Sequence, residues 1–316
     1  MVRLKRYLRT IRANATDRYW WRDVAIPHFL RTTYYRWTQR GIRVLKEDWD
    51  NLVLFDACRY DMLAETGWHA DRLESRRSRG SNTPEFLTEN FVGADLLNTV
   101  YVTGNPQVDV YLSDECYEVV SVWESAWDEK LGTVPPGPVT EAAIEAHEQY
   151  PDKRIVVHYM QPHYPFVGET GREAIGEQSG VELSRRLADG EADADRDHAT
   201  VWERLQAGEL NNETVWNAYI ENLELVLPHV EELLDAFAGR TVVTSDHGNM
   251  AGERVGPLPF RLYGHPYGIY TPELVKVPWL VFERGERKRV AAGDRSRATE
   301  SVGDAASRRL EALGYR

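Results

Sequence analysis

The sequence predicts an α/β protein: a doubly wound, mostly parallel sheet with helices on both faces. Two observations carry this expectation. Apolar runs of strand length recur along the 316 residues, with helical patterns between several of them, the alternation that produces βαβ units and a parallel sheet. Two of these runs, far apart in the chain, end in acidic metal-ligand types. Such ends meet only where parallel strands open a crevice beyond their carboxyl termini.

The first run is Asn51-Leu52-Val53-Leu54-Phe55, continuous and apolar as a strand covered on both faces requires. It leads into Asp56-Ala57-Cys58-Arg59-Tyr60-Asp61-Met62-Leu63. Asp56 either caps the helix that follows or offers a carboxylate at the strand tip. Next comes Gly80-Ser81-Asn82-Thr83-Pro84-Glu85-Phe86-Leu87. Thr83 before a proline reads as an N-cap, with Pro84 at the first helical position. A hydroxyl there lies among free backbone N–H groups at the positive end of the helix dipole, where an anionic ester docks. A metal-coordinated threonine hydroxyl can also lose its proton and act as a nucleophile. Ser81 is the alternative hydroxyl.

Further strands are expected at Thr99–Val102, Val119–Val122, Ile155–His158, Thr241–Val243 and Val277–Phe282, with helices near residues 137–150 and 213–237 and a closing helix over Ser301–Leu313. The run Thr241–Val243 ends in Thr244-Ser245-Asp246-His247-Gly248-Asn249. A buried strand has no need of Asp-His at its tip, but carboxylate oxygen and imidazole nitrogen suit Zn²⁺ or Mn²⁺. His158-Tyr159-Met160-Gln161-Pro162-His163-Tyr164-Pro165-Phe166 places two histidines just past an expected strand end, and Tyr263-Gly264-His265-Pro266-Tyr267-Gly268 sets another in a glycine-bracketed loop. Four of the nine histidines (His158, His163, His247 and His265) thus fall at expected strand ends or in adjoining loops, a clustering that packing alone does not explain.

Taken together, these segments resemble the alkaline phosphatase superfamily in its sulfatase-like branch. Asp56-Ala57-Cys58-Arg59-Tyr60-Asp61 is similar to the motif in which a strand ends in a metal-binding Asp. Gly80-Ser81-Asn82-Thr83-Pro84 resembles the nucleophile segment, Gln161-Pro162-His163-Tyr164-Pro165 the Asp-Pro-His-x-Pro motif, Ser245-Asp246-His247-Gly248 the late metal motif, and Gly264-His265 with Val277-Pro278 the terminal segment. The resemblance covers roughly residues 48–285 in family order. It implies an alkaline phosphatase-like fold and a metal-dependent hydrolase or transferase acting on a phosphate ester, less readily a sulfate ester, through a covalent Thr83 intermediate. It further implies Asp56, Thr83, Asp246 and His247 as metal ligands, His163 and His265 as catalytic groups with Thr83, and Arg59, Asn82 and His158 as substrate-binding residues. Zn or Mn is the expected metal, with Ca or Mg as alternatives. Cys58 lacks the Cys-x-Pro-x-Arg context of true sulfatases, so a threonine nucleophile of the phosphodiesterase and phosphoglycerol or phosphoethanolamine transferase kind is expected. Two-metal members carry a further Asp-x-x-x-His set. Asp193, Asp195, Asp197 and His198 lie in an acidic stretch that reads instead as a solvated loop. The rival classes are a non-catalytic binding protein that keeps the fold, a true sulfate-ester hydrolase, and a phosphoglycerate mutase-like isomerase. The last is disfavoured by the threonine and the chain length.

Composition bounds the rest. Two domains are expected: a basic, aromatic arm over residues 1–46 and a catalytic domain over 47–316. The arm holds twelve Lys or Arg and two acids, a local charge of +10 that leaves −22 on the remainder. An acidic, lysine-poor body is suited to high salt, where hydrated carboxylates keep a protein soluble. In the arm, Met1–Arg12 alternates basic and apolar residues, followed by Trp20, Trp21, Tyr34, Tyr35 and Trp37. This reads as a peripheral membrane contact or as a strap on the acidic body. An anionic ester substrate, free or lipid- or glycan-linked, is the expected partner; nucleic acid is not expected, since the body would repel it. Cys58 and Cys116 provide no disulfide framework. With no signal peptide or membrane-spanning run in the sequence, a cytoplasmic location is expected, peripheral at the inner face if the arm binds lipid.

Overall fold

A computed structural model describes residues 12–16, 25–33, 35, 41–112, 115–176, 178, 181–188, 199–255 and 261–293. Residues 1–11 and the aromatics Trp20, Trp21, Tyr34 and Trp37 of the arm lie outside the described residues, as do Asp193, Asp195, Asp197, His198 and Ser301–Leu313.

Nine strands are described: β1 (Asn51–Asp56), β2 (Glu74–Arg77), β3 (Leu96–Thr103), β4 (Cys116–Ser121), β5 (Arg154–Pro162), β6 (Gly239–Ser245), β7 (Met250–Arg254), β8 (Arg261–Gly264) and β9 (Lys276–Arg284). Seven form one sheet in the order β2-β9-β6-β1-β5-β3-β4, and β7 and β8 form a separate pair. β1, β3, β4, β5 and β6 are mutually parallel, whereas β9 runs antiparallel to both β6 and β2. The expected α/β fold with a mostly parallel sheet is therefore present, and each apolar run named above is a strand. The direction of β9 is the part the apolar pattern does not encode, because a strand buried on both faces looks the same in either direction.

β1 lies at the centre. Its residues are all buried, and Leu52, Val53, Leu54 and Phe55 contribute roughly 1.5–3 kcal/mol each by leaving water. The covering helices are α1 (Ile26–Thr33), α2 (Tyr60–Thr66), α3 (Thr83–Asn90), α4 (Gln107–Leu112), α5 (Trp123–Ala126), α6 (Pro136–Gln149), α7 (Val181–Ala188), α8 (Val201–Ala207), α9 (Asn212–Ala236) and α10 (Pro272–Val275). α9 buries Val215, Ala218, Tyr219, Asn222, Leu223, Val226, Val230 and Leu233, the three-and-four spacing of one helix face. α6 packs beside α9 and against β5.

A second, smaller core joins Leu30 and Tyr35 of the arm to Met250, Val255, Leu262, Ile269, Leu274 and Val275. Leu30 and Tyr35 of the arm, with Ile26, thus pack onto the body, while Phe29 is turned outward at 53% exposure. Among the described residues, no helix is long and apolar enough to cross a membrane.

Candidate metal centre

The site is assembled at the carboxyl ends of adjacent parallel strands, β5, β1 and β6. Past the end of β6, the Asp246 N–H donates to Phe55 O at 3.2 Å, and on the other side the His163 N–H donates to Asp56 O at 3.1 Å. The turn after β1 is bound to β6 by side chains as well. The Ala57 N–H donates to Asp246 Oδ1 at 3.0 Å and the Cys58 N–H to Ser245 Oγ at 2.8 Å. Ala57 holds φ 63°, a left-handed conformation that costs a non-glycine residue free energy and turns the chain sharply at the tip of the strand. Asp56 is no helix cap: α2 begins after Arg59, whose side chain makes no capping bond.

Asp56, Asp246 and His247 bring their ligand atoms within 4.8 Å of one another. They are 2%, 0% and 0% exposed, and Thr83 beside them is 3% exposed. His247 Nε2 lies 3.4 Å from Asp246 Oδ2, 3.6 Å from Asp56 Oδ1 and 3.3 Å from Thr83 Oγ1. Four donors at about 2.1 Å around a tetrahedral cation stand roughly 3.4 Å apart, so the spacing suits one ion. The other imidazole nitrogen, Nδ1, donates to Gly248 O at 2.6 Å, which leaves the Nε2 lone pair facing the carboxylates. Asp56 Oδ2 accepts from Asn105 Nδ2 at 2.8 Å, while the buried Oδ1 has no hydrogen-bond partner among the described residues.

The electrostatics point the same way. Burial, reinforced by Asp246, pushes the Asp56 carboxyl well above the usual carboxylate range, and burial raises Asp246 too. Two buried carboxylates without a counter-ion are costly. Among the described residues, their ion-pair partners are histidines only. Those imidazoles are held neutral by burial, His158 with a pKa pushed down to about 4 and His247 to about 3. Arg59, the nearby cation, is engaged by Asp61 and Glu253, donates to Asn249 O at 3.1 Å and lies over the Trp216 ring. A divalent cation is the partner that this donor set fits.

Two sequence expectations are corrected here. Asn82, and not Thr83, caps α3: Asn82 Oδ1 accepts the Glu85 N–H at 2.9 Å. With the cap supplied by its neighbour, Thr83 is free to donate its hydroxyl to Asp246 Oδ2 at 2.8 Å. His158 does not lie past a strand end. β5 continues to Pro162, so His158 sits inside the sheet at 0% exposure, between the Tyr101 hydroxyl, 3.0 Å from Nδ1, and Asp246 Oδ2, 3.7 Å from Nε2. Its imidazole has no face open to a substrate, and the donors of Arg59 are largely occupied as described. Ser81 Oγ is turned away, 2.8 Å from Glu85 Oε2 and accepting from the Gly268 N–H at 2.9 Å. Cys58 is fully buried, its thiol pKa raised by that burial.

His163 and His265 form the outer rim and are only half-buried. His163 Nδ1 donates to Tyr164 O. Its Nε2 therefore accepts, and His265 Nε2 donates across 3.1 Å. The His265 ring also lies 4.8 Å from the His247 ring, centroid to centroid. Burial and the neighbouring imidazole push the pKa of each rim histidine down to about 3. The turn carrying His163 is clamped by Asn222 of α9, which donates to Pro162 O at 3.1 Å and His163 O at 3.0 Å and accepts from the Val167 N–H at 3.0 Å. A cleft of about 250 Å³ opens beside His265, walled by Tyr164, Trp202, Tyr263 and Leu262 with Glu203 and Gln206. Asn105, Tyr101 and Asn222 escaped the sequence reading. Asn105 alone carried a signal, since Gly104-Asn105-Pro106 follows β3 at the same edge of the sheet.

No protein-family model and no curated protein matches the chain. Among solved structures it is similar to the soluble domain of lipooligosaccharide phosphoethanolamine transferase A from Neisseria meningitidis (12% identity, covering 73% of this chain and 75% of that one, TM-score 0.47). It is also similar to the integral membrane form of that transferase, of which it spans 59% while 90% of this chain is covered (13% identity, TM-score 0.48). A protein in the alkaline phosphatase superfamily from Vibrio parahaemolyticus is a third (8% identity, 76% of this chain and 60% of that one, TM-score 0.40). The likeness is one of fold.

Proposed function

We propose that the chain is a metal-dependent member of the alkaline phosphatase superfamily, a hydrolase or transferase of phosphate esters that works through a covalent Thr83 intermediate. The observation that supports this reading most directly is the Thr83 hydroxyl, set 2.8 Å from Asp246 Oδ2 inside the spacing of Asp56, Asp246 and His247. A packing threonine has no need of two buried carboxylates and an imidazole lone pair around its oxygen.

Asp56, Asp246, His247 and Thr83 would hold the cation, Zn²⁺ or Mn²⁺ by donor type, and when bound it supplies Lewis-acid polarisation of the ester and of the threonine hydroxyl. Thr83 passes its proton towards Asp246 and its oxygen attacks phosphorus in line. The new Thr83 O–P bond forms as the bond from phosphorus to the leaving oxygen breaks. His265, neutral with a proton on Nε2, donates a hydrogen bond to the departing oxygen, which takes its proton from water. Water or an acceptor alcohol then attacks the phosphothreonine, and the bond from phosphorus to Thr83 Oγ1 breaks. Thr83 recovers its proton from Asp246, and the nucleophile's proton passes to the hydroxide left by the first step. The cleft beside His265 receives the leaving group or the acceptor, with aromatic walls for an apolar face and Gln206 for a polar one. The basic arm favours an ester presented at an anionic or lipid surface, with Phe29 of α1 directed outward.

Elemental mass spectrometry on the purified chain, together with a panel of phosphodiesters, phosphomonoesters and sulfate esters in high salt, tests the reading. The expected result is stoichiometric Zn²⁺ or Mn²⁺ with phosphoester turnover. Thr83→Ala should retain the metal, lose turnover by at least ~10³-fold and abolish the phosphothreonine adduct seen in peptide mass spectra of the quenched reaction. An unchanged rate in Thr83→Ala would remove the covalent mechanism.

A further inference from the structure

His158 and Tyr101 remain unexplained by the mechanism above. Both are wholly buried in the sheet. His158 stands in β5 between Leu54 of β1 and Thr103 of β3, with buried Val156, Val157 and Tyr159 beside it in the strand. The fold alone would be better served there by a leucine or phenylalanine, because a buried polar group costs free energy unless it is hydrogen-bonded. Among the described residues His158 Nε2 has no hydrogen-bond partner, and it points at Asp246 Oδ2 from 3.7 Å.

We propose that His158, backed by Tyr101, is a positioning residue that holds Asp246 in its cation-binding pose. This rests on the metal-centre reading given above. The phenol oxygen of Tyr101 lies 3.0 Å from His158 Nδ1, which allows two arrangements. If Nδ1 carried the proton, the Nε2 lone pair would face the Asp246 oxygen and repel it. If Tyr101 donates to Nδ1, the proton is on Nε2 and is directed at the carboxylate. The second arrangement is the attractive one. Asp246 Oδ1 is already held by the Ala57 and His247 N–H groups, whereas among the described residues Oδ2 has only the Thr83 hydroxyl as a donor at hydrogen-bonding distance. The His158 N–H approaches Oδ2 from the sheet side. A small rotation of the carboxylate completes that bond and leaves the other face of Oδ2 to the ion and Thr83. Outer groups of this kind fix the orientation of a ligating carboxylate.

The test is the affinity of the metal-stripped chain for Zn²⁺, measured by competition with a chromophoric chelator, in wild type, His158→Leu, His158→Gln and Tyr101→Phe. His158→Leu should weaken binding ~10–100-fold. In His158→Gln the amide N–H reaches the Nε2 position, so most of that loss should be recovered. Tyr101→Phe should fall between Leu and wild type. Independently, ¹⁵N spectra of the wild-type imidazoles should show His158 as the Nε2–H tautomer, a readout that needs neither a folded variant nor activity. Equal Zn²⁺ affinity in wild type and a folded His158→Leu would overturn the proposal, as would a glutamine variant no better than leucine or an Nδ1–H tautomer. A wild-type chain that binds no Zn²⁺ would instead remove the metal-centre reading on which it rests.

Discussion

Replacing Asp246 by asparagine should raise the stability of the metal-stripped protein while destroying its response to metal. Asp246 is wholly buried, and burial raises its carboxyl pKa. A folded-state pKa above the unfolded value means that, above the unfolded pKa, the ionised group destabilises the fold. Asparagine removes that charge at nearly the same shape. Its oxygen can keep the bonds from the Ala57 N–H at 3.0 Å and the His247 N–H at 2.7 Å. Its amide N–H groups can be accepted by Thr83 Oγ1 and His247 Nε2, and His158 meets the amide as its Nδ1–H tautomer, donating to the Tyr101 oxygen. Neutral replacement of buried ionic groups yields about 1–4 kcal/mol, and ~2 kcal/mol is the reasonable middle. At about 2.1 cal/mol/K per residue, the unfolding entropy of a chain this size is roughly 0.7 kcal/mol/K, so the melting point should rise by about 3 °C. With Zn²⁺ at a hundred times its Kd, the wild type gains about 2.7 kcal/mol, roughly 4 °C, and the variant little. The order of the two melting curves should therefore reverse between chelator and Zn²⁺. Scanning calorimetry or dye-monitored melting at neutral pH reads both conditions. A variant that melts below wild type in chelator, or a Zn²⁺ shift equal in both proteins, would show that Asp246 serves the fold and refute the reasoning.

Two further expectations concern the histidines and the clamp. The folded protein holds His158 neutral, with a pKa pushed down to about 4 by burial, whereas the unfolded chain takes up that proton below about pH 6.5. Stability is therefore lost as pH falls from about 6.5 towards 4, at ~1.4 kcal/mol per pH unit for this residue. Urea denaturation of metal-stripped wild type and His158→Gln at pH 7, 6 and 5 should show the variant's dependence shallower by that amount, and parallel lines would contradict it. Asn222→Ala leaves the Pro162 and His163 carbonyls without their donor. It should cost roughly 2–4 kcal/mol and slow turnover by displacing His163 while Zn²⁺ affinity holds, and a variant of wild-type stability and rate would count against the clamp.

Much of this site was legible because its chemistry sits where the sequence pattern changes. Asp56 and Asp246-His247 each follow an apolar run, and a ligand type in that position stands out against the strand before it. The threonine was legible as a hydroxyl at a helix start, but the cap was not. Asn82 and Thr83 are both good capping residues, and only the backbone direction decides which side chain turns back onto the helix and which turns towards β6. His158 was misplaced because β5 runs on through Gln161-Pro162, and proline usually marks a strand end. β2 carries Glu74, Arg76 and Arg77 at the edge of the sheet, so no apolar run announced it. Asn222 was invisible for another reason. On α9 it occupies a core-facing position of an otherwise ordinary helix face, and its role depends on a turn 60 residues earlier in the chain.

The central place of β1 has a kinetic consequence. Asp56 and Asp246 are separated by 190 positions in the chain, yet they become neighbours because β6 pairs directly with β1. Only Asp246 and His247 are local to each other. No earlier stage of folding can present the full donor set, since contacts this distant in sequence form late and slowly. An ion captured after β6 docks would cross-link strands β1 and β6. Its effect should then fall chiefly on the rate at which the sheet comes apart, and little on the rate at which it forms.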